Sequence, residues 1–162
     1  MKKFKFSFAA MMVAMLSMCV AFTSCSSDDD NDTVAAAKEI VGSYTGNLAM
    51  TVMGEPSTND NITMKFEAVD NATVKVTLPA FGGGMMALPA LEVPAVKVSG
   101  SNGAYAFSQE NYAGTVTVKG AEKKYTVTLQ GTLKNNILTV NYTVQYGKMP
   151  QPMIGKFVAT KK

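Results

Sequence analysis

Cys19 and Cys25 carry the only thiols in the 162 residues, and histidine and arginine are absent. That narrows the available chemistry at once. A serine nucleophile needs a base beside it, and with no imidazole and no Gly-x-Ser-x-Gly turn that pairing is missing. The commonest metal-ligand set falls for the same reason. Beyond residue 40 the carboxylates are Glu55, Asp60, Glu67, Asp70, Glu92, Glu110 and Glu122. Two carboxylates flanking a sugar suffice for glycoside hydrolysis. Most of these, however, stand beside Gly, Pro or Asn in turns, or at solvated strand positions, where the ordinary role of a carboxylate is solubility. Gly82-Gly83-Gly84 lacks the Lys-Ser/Thr and the helix of a phosphate-binding loop. The chain therefore reads as a non-enzyme with no cofactor and no metal.

The residues that offer covalent chemistry lie at the N-terminus. Lys2, Lys3 and Lys5 precede an uncharged apolar run from Phe6 to Phe22, followed by small polar residues, which is the order of a secretory signal peptide. At about 17 residues the run is at the lower limit of a bilayer span, and nothing as long recurs downstream, so no permanent transmembrane helix is expected. Phe22-Thr23-Ser24-Cys25 resembles the lipobox of bacterial lipoproteins, with Phe22 where an aliphatic residue is usual. The resemblance implies that Cys25 becomes the first mature residue and carries acyl chains, which makes it a tether to the outer membrane. Three such chains exceed the two signals that stable anchoring needs.

Directly after it, Ser26-Ser27-Asp28-Asp29-Asp30 resembles the acidic export signal of Bacteroidetes lipoproteins, implying that Asp28, Asp29 and Asp30 direct the protein to the outer face of the outer membrane. The alternative is a solvated linker, because clustered like charges repel and stay extended. Asp32-Thr33-Val34 also resembles an O-glycosylation site of that phylum. The chain is thus expected to divide into a signal peptide over 1–24, an acylated cysteine with a flexible acidic tether over 25–39, and a folded domain over 40–162. Val34 to Glu39 has helical composition but is too short to stand alone.

Charge divides the same way. The tether carries a net −4 and the domain +4, so the mature chain is formally neutral. No lysine patch interleaved with aromatics occurs, which argues against nucleic acid as a partner. The 123 residues from Ile40 onward suffice for one core.

Those residues alternate with period two. Tyr44, Leu48, Met50 and Val52 share one strand face. Ile62, Met64, Phe66 and Ala68 lead through Asp70-Asn71 into Val74, Val76 and Leu78, a hairpin. Then come Val93 to Val98, Tyr105 with Phe107, Val116 with Val118, and Tyr125 to Leu133. Asn135-Asn136, which tolerate positive φ, turn the chain into Leu138 to Tyr146, and Met153 to Thr160 closes the set. No helical period of useful length appears. The expectation is an all-β domain of eight or nine antiparallel strands. An up-and-down barrel would remove the exposed edges; a two-sheet sandwich explains the same alternation.

Gly42-Ser43-Tyr44-Thr45-Gly46, the long apolar Gly/Pro stretch after the third strand, and the closing strands from Lys124 to Lys156 resemble the calycin-like β-barrel domain of Bacteroidetes lipoproteins. The resemblance implies an eight-stranded, lipocalin-like barrel with Tyr44 where lipocalins keep a Trp. The Gly/Pro stretch, Pro79 to Leu91, must bury Phe81, Met85, Met86 and Leu88 against something. It can plug the barrel, line a ligand cavity or dock on a partner. Two functions remain in view. One is a binding module for a small apolar or amphipathic ligand, with Tyr44, Phe81, Met85, Met86, Leu88, Tyr105, Phe107, Tyr142 and Tyr146 as candidate lining. The other is a filled barrel whose outer surface meets a glycan or a surface protein.

Overall fold

The computed structural model describes residues 35–83 and 87–161. Eight strands follow one five-residue helix. The helix is α1 (Ala36–Ile40), and the strands are β1 (Gly42–Val52), β2 (Glu55–Ala68), β3 (Thr73–Leu78), β4 (Leu91–Ser101), β5 (Ala104–Val118), β6 (Ala121–Lys134), β7 (Ile137–Tyr146) and β8 (Met153–Thr160). Each strand pairs antiparallel with the next and β8 returns to β1, so the sheet closes into an up-and-down barrel. The sandwich is thereby excluded. The unit from Asp32 to Lys162 is compact in itself, and every barrel strand lies within it.

The alternation does what period two requires. In β8, Met153, Gly155, Phe157 and Ala159 are buried while the residues between them are exposed. Every buried side chain of the described core is hydrophobic. Three of the connections are tight two-residue turns whose central pair sits at positive φ: Met53-Gly54 (51° and 86°), Asn102-Gly103 (52° and 77°) and Lys119-Gly120 (50° and 77°). Asn135-Asn136 (51° and 61°) makes a fourth, as its side chains predict. Asp70 also behaves as expected, its Oδ1 accepting the Ala72 N–H at 2.8 Å in the β2–β3 turn.

In a meander of this kind the connections sort to two ends. Met53-Gly54, residues 79–83 and 87–90, Lys119-Gly120 and residues 147–152 share one, the loop end. The turns at 69–72, Asn102-Gly103 and Asn135-Asn136 share the other with α1 and Lys161. Residues 36–39, read from the sequence as tether, are in fact folded. Ala37 and Ile40 are buried, the Ala37 N–H donates to Asn71 O at 3.2 Å, and Lys161 Nζ donates to Glu39 O. A helix this short holds because the barrel packs against it. Residues 1–34, including Cys25, Asp28, Asp29 and Asp30, lie outside the described residues.

Tyr105 with Phe107 and Val116 with Val118, which read as successive short alternations, belong to one fifteen-residue strand. A bulge between Gln109 and Tyr112, with Asn111 at φ 48°, lets the strand continue while its parity changes.

Candidate functional site

Inward positions are filled by rings lying across glycines. Phe107 stands opposite Gly131, Tyr125 opposite Gly114, and Tyr142 opposite Gly155. In each pair a Cβ on the glycine would overlap the facing ring. The missing side chain therefore lets a ring lie flat along the inner wall and reach the strand beyond. From there the Tyr125 hydroxyl donates to Glu92 O on β4 at 2.6 Å.

That bond spans a parting in the wall. The β4–β5 ladder covers only Lys97↔Ser108 to Ser101↔Ala104, near the helix end. The β2–β3 ladder covers only Lys65↔Thr77 to Ala68↔Val74. Toward the loop end, among the described residues, Glu55 to Met64 of β2 thus have no ladder to β3, and Leu91 to Val96 of β4 have none to β5. The continuation of the β3–β4 hairpin is a small bridge in which Phe81 and Leu88 exchange N–H···O bonds of 2.9 and 2.8 Å.

Partly exposed apolar residues gather at this end. Val52, Phe81, Tyr112, Val116, Tyr146 and Met149 pack on the core without being covered. The 147–152 loop is fastened beside them by Gly147 N–H to Lys124 O (2.8 Å) and by Gln145 Nε2 to Met149 O. Charge is confined to the lip. Among inward register positions, Glu55 opposite Val52 and Lys123 opposite Val116 are the charged ones, both exposed.

The candidate lining separates into two groups. Phe81, Leu88, Tyr142 and Tyr146 belong to the loop half. Tyr44, Tyr105 and Phe107 belong to the helix half, where Tyr44 donates to Ile40 O at 2.9 Å. Tyr44 and Phe107 each meet Phe66 edge to face, at centroid distances of 5.5 and 5.3 Å. These rings floor the barrel under α1. Met85 and Met86 lie outside the described residues. Val52, Tyr112, Val116 and Met149 were not singled out from the sequence. Alternation alone placed Val52 and Val116 on an inner face, whereas the Asn111 bulge hid Tyr112.

Burial raises the phenol pKa values of Tyr44, Tyr125 and Tyr142 above the ordinary tyrosine value. All three hydroxyls are therefore protonated donors near neutral pH. Among the described residues no group of three His, Cys, Asp or Glu gathers in one place. The interior is apolar, and of the three tyrosine hydroxyls only that of Tyr142 has no oxygen acceptor.

A closed eight-stranded meander with an apolar interior and one capped end is the architecture of calycin-type barrels. The sequence pattern of the calycin-like β-barrel domain matches residues 40–160, and the chain belongs to that family. Among solved structures it is similar to one from Bacteroides fragilis NCTC 9343, provisionally described as an outer membrane protein, with a TM-score of 0.64 and 21% identity. The similarity covers 79% of this chain and 53% of that one, so the chain spans about half the neighbour's length. No curated protein matches.

Proposed function

We propose that this chain is a lipid-anchored envelope protein whose barrel takes a small apolar or amphipathic molecule at its loop end. The observation that carries the binding reading is the set of half-covered apolar side chains gathered there, on a barrel whose opposite end is capped by α1. Ligand sites are concave, mainly apolar and furnished with a few placed polar groups. The neighbour's description as an outer membrane protein supports an envelope setting. So do the lipobox-like Cys25 and the acids Asp28, Asp29 and Asp30 behind it. On this reading the protein binds and does not catalyse.

Anchoring is tested by feeding cells radiolabelled palmitate. Label should appear on the native protein and be absent from Cys25→Ala; label on that variant would refute the anchor. Replacing Asp28, Asp29 and Asp30 by Asn should keep the label yet shield the domain from protease added to whole cells. Binding is tested by titrating an apolar dye into the protein from Asp32 to Lys162, with saturable brightening expected. A dye that stays dark would favour the second reading, in which the barrel is filled and acts through its outside. Ile137, Ile154 and Val158, exposed on the outer face of β7 and β8, are the observation for that surface.

A further inference from the structure

Tyr142 is 4% exposed, yet its hydroxyl meets only a sulfur, Met50 Sδ at 3.4 Å. Two other buried phenols do better. Tyr44 and Tyr125 each find a backbone carbonyl oxygen, at 2.9 and 2.6 Å. A thioether is a weak acceptor, and a buried O–H without a good partner forfeits most of what it gave up in leaving water.

The hydroxyl has little freedom to look elsewhere. Tyr142 on β7 faces Gly155 on β8, and Gly155 faces Met50 on β1, so the three form one row across the inner wall. The ring lies where a Gly155 Cβ would be, which aims the oxygen at Met50. One residue pair nearer the loop end stand Val144 and Met153, level with Val52, and Tyr146 comes next. Val144 and Met153 are themselves buried, so a body entering from this end displaces them before it meets the Tyr142 oxygen, the first buried donor on this wall. Met50 is unbranched and can swing its sulfur aside.

On the reading that the loop end binds a ligand, we propose that the Tyr142 hydroxyl is its polar anchor, donating to a single oxygen acceptor at the leading end of a neutral, apolar molecule. Neutrality follows from the surroundings, since no described charged side chain is buried to compensate an ionised ligand. A ketone, ester or ether oxygen satisfies the donor; a hydrocarbon leaves it on the sulfur.

Two nearly isosteric probes separate these cases: 2-acetylnaphthalene, which carries the acceptor, and 2-isopropylnaphthalene, which does not. With the protein from Asp32 to Lys162 the ketone should bind roughly three- to tenfold more tightly, the worth of one net hydrogen bond. Its infrared carbonyl band should shift to lower frequency on binding. In Tyr142→Phe the preference and the band shift should vanish, while hydrocarbon affinity and melting temperature stay the same or rise. Met50→Leu, which deletes the sulfur and keeps the hydroxyl, should retain or increase the ketone preference. A ketone preference that survives in Tyr142→Phe would overturn the proposal and leave the binding site standing. So would a Tyr142→Phe protein that melts much lower with probe affinities unmoved, because the sulfur contact would then be structural. If neither naphthalene binds the native protein, the loop-end site falls and the anchor with it.

Discussion

Gly155 faces Tyr142 across the β7–β8 ladder, and a methyl group placed there would overlap the phenol ring. Gly155→Ala should therefore cost about 1–3 kcal/mol, the usual range for overpacking, read from the urea midpoint at constant slope. Combined with Tyr142→Leu the loss should be smaller than the sum of the two, because the second change removes the ring that the methyl strikes. Additive losses would mean that the two side chains do not meet. The buried phenols make a second prediction, with pH. An unfolded tyrosine ionises near about pH 10, whereas burial holds Tyr142, Tyr44 and Tyr125 protonated to higher pH. Above pH 10 the unfolded chain thus gives up protons that the folded chain keeps, and stability falls as pH rises. Below that pH these groups contribute no slope. Melting curves from pH 8 to 11 should show the decline, and Tyr142→Phe should make it shallower.

Among the elements, α1 is the one whose role the sequence concealed. Five residues of Ala, Lys, Glu and Ile have no helical stability of their own; only the barrel beneath shows why Ala37 and Ile40 are apolar. Ile40 is fully buried there. Ile40→Ala should cost about 2–5 kcal/mol, the range for truncating a packed aliphatic, whereas the same change at exposed Ile137 should have little effect. Most strands were legible, as were the turns at Asp70-Asn71 and Asn135-Asn136, because period two and paired turn residues are local signals. The turns at Met53-Gly54, Asn102-Gly103 and Lys119-Gly120 were not read from the sequence. Nor were the bulges. In β4, β5 and β2 one extra residue enters opposite a regular partner, so Val93 and Val96, or Gln109 and Tyr112, share a face despite a spacing of three. An alternation count misplaces every residue beyond such a point. Tyr112 was lost to the candidate site in this way, whereas Tyr142 and Tyr146, on the regular β7, were placed by alternation. On the outer face of β2, β3 and β4, Lys75 bonds Glu67 at 2.8 Å and Glu92 at 3.6 Å, with Lys65 on Glu67 at 3.1 Å. Lys75 and then Lys65 hold the Glu67 carboxyl below its ordinary pKa. Any stability this adds is present above the ordinary glutamate range and lost as pH falls below it. The groups are exposed, so Glu67→Gln should move the urea midpoint little, and less still in high salt.

At the scale of the molecule the two ends of the barrel are built differently. The helix end is sealed by α1 and by the Tyr44, Phe66 and Phe107 rings, and both ends of the described chain leave from it. Toward the loop end, among the described residues, the ladders between β2 and β3 and between β4 and β5 stop short, and half-covered apolar groups collect there. That such an end exists was not written in any single motif. It follows from which strands stop pairing, a property of closure that no local pattern records. The central claim, that this end receives an apolar molecule, is tested most directly by titrating the protein from Asp32 to Lys162 with 1,6-diphenylhexatriene. The same titration is run on a Val116→Asp, Tyr146→Asp variant at the loop end and on Val69→Asp, an exposed position beside the β2–β3 turn. Native protein and Val69→Asp should bind the dye saturably and alike, and the loop-end variant, with its far-ultraviolet circular dichroism unchanged, should bind at least roughly tenfold more weakly, since charges would be placed in an apolar mouth. Equal binding by all three, or none by the native protein, would contradict the account.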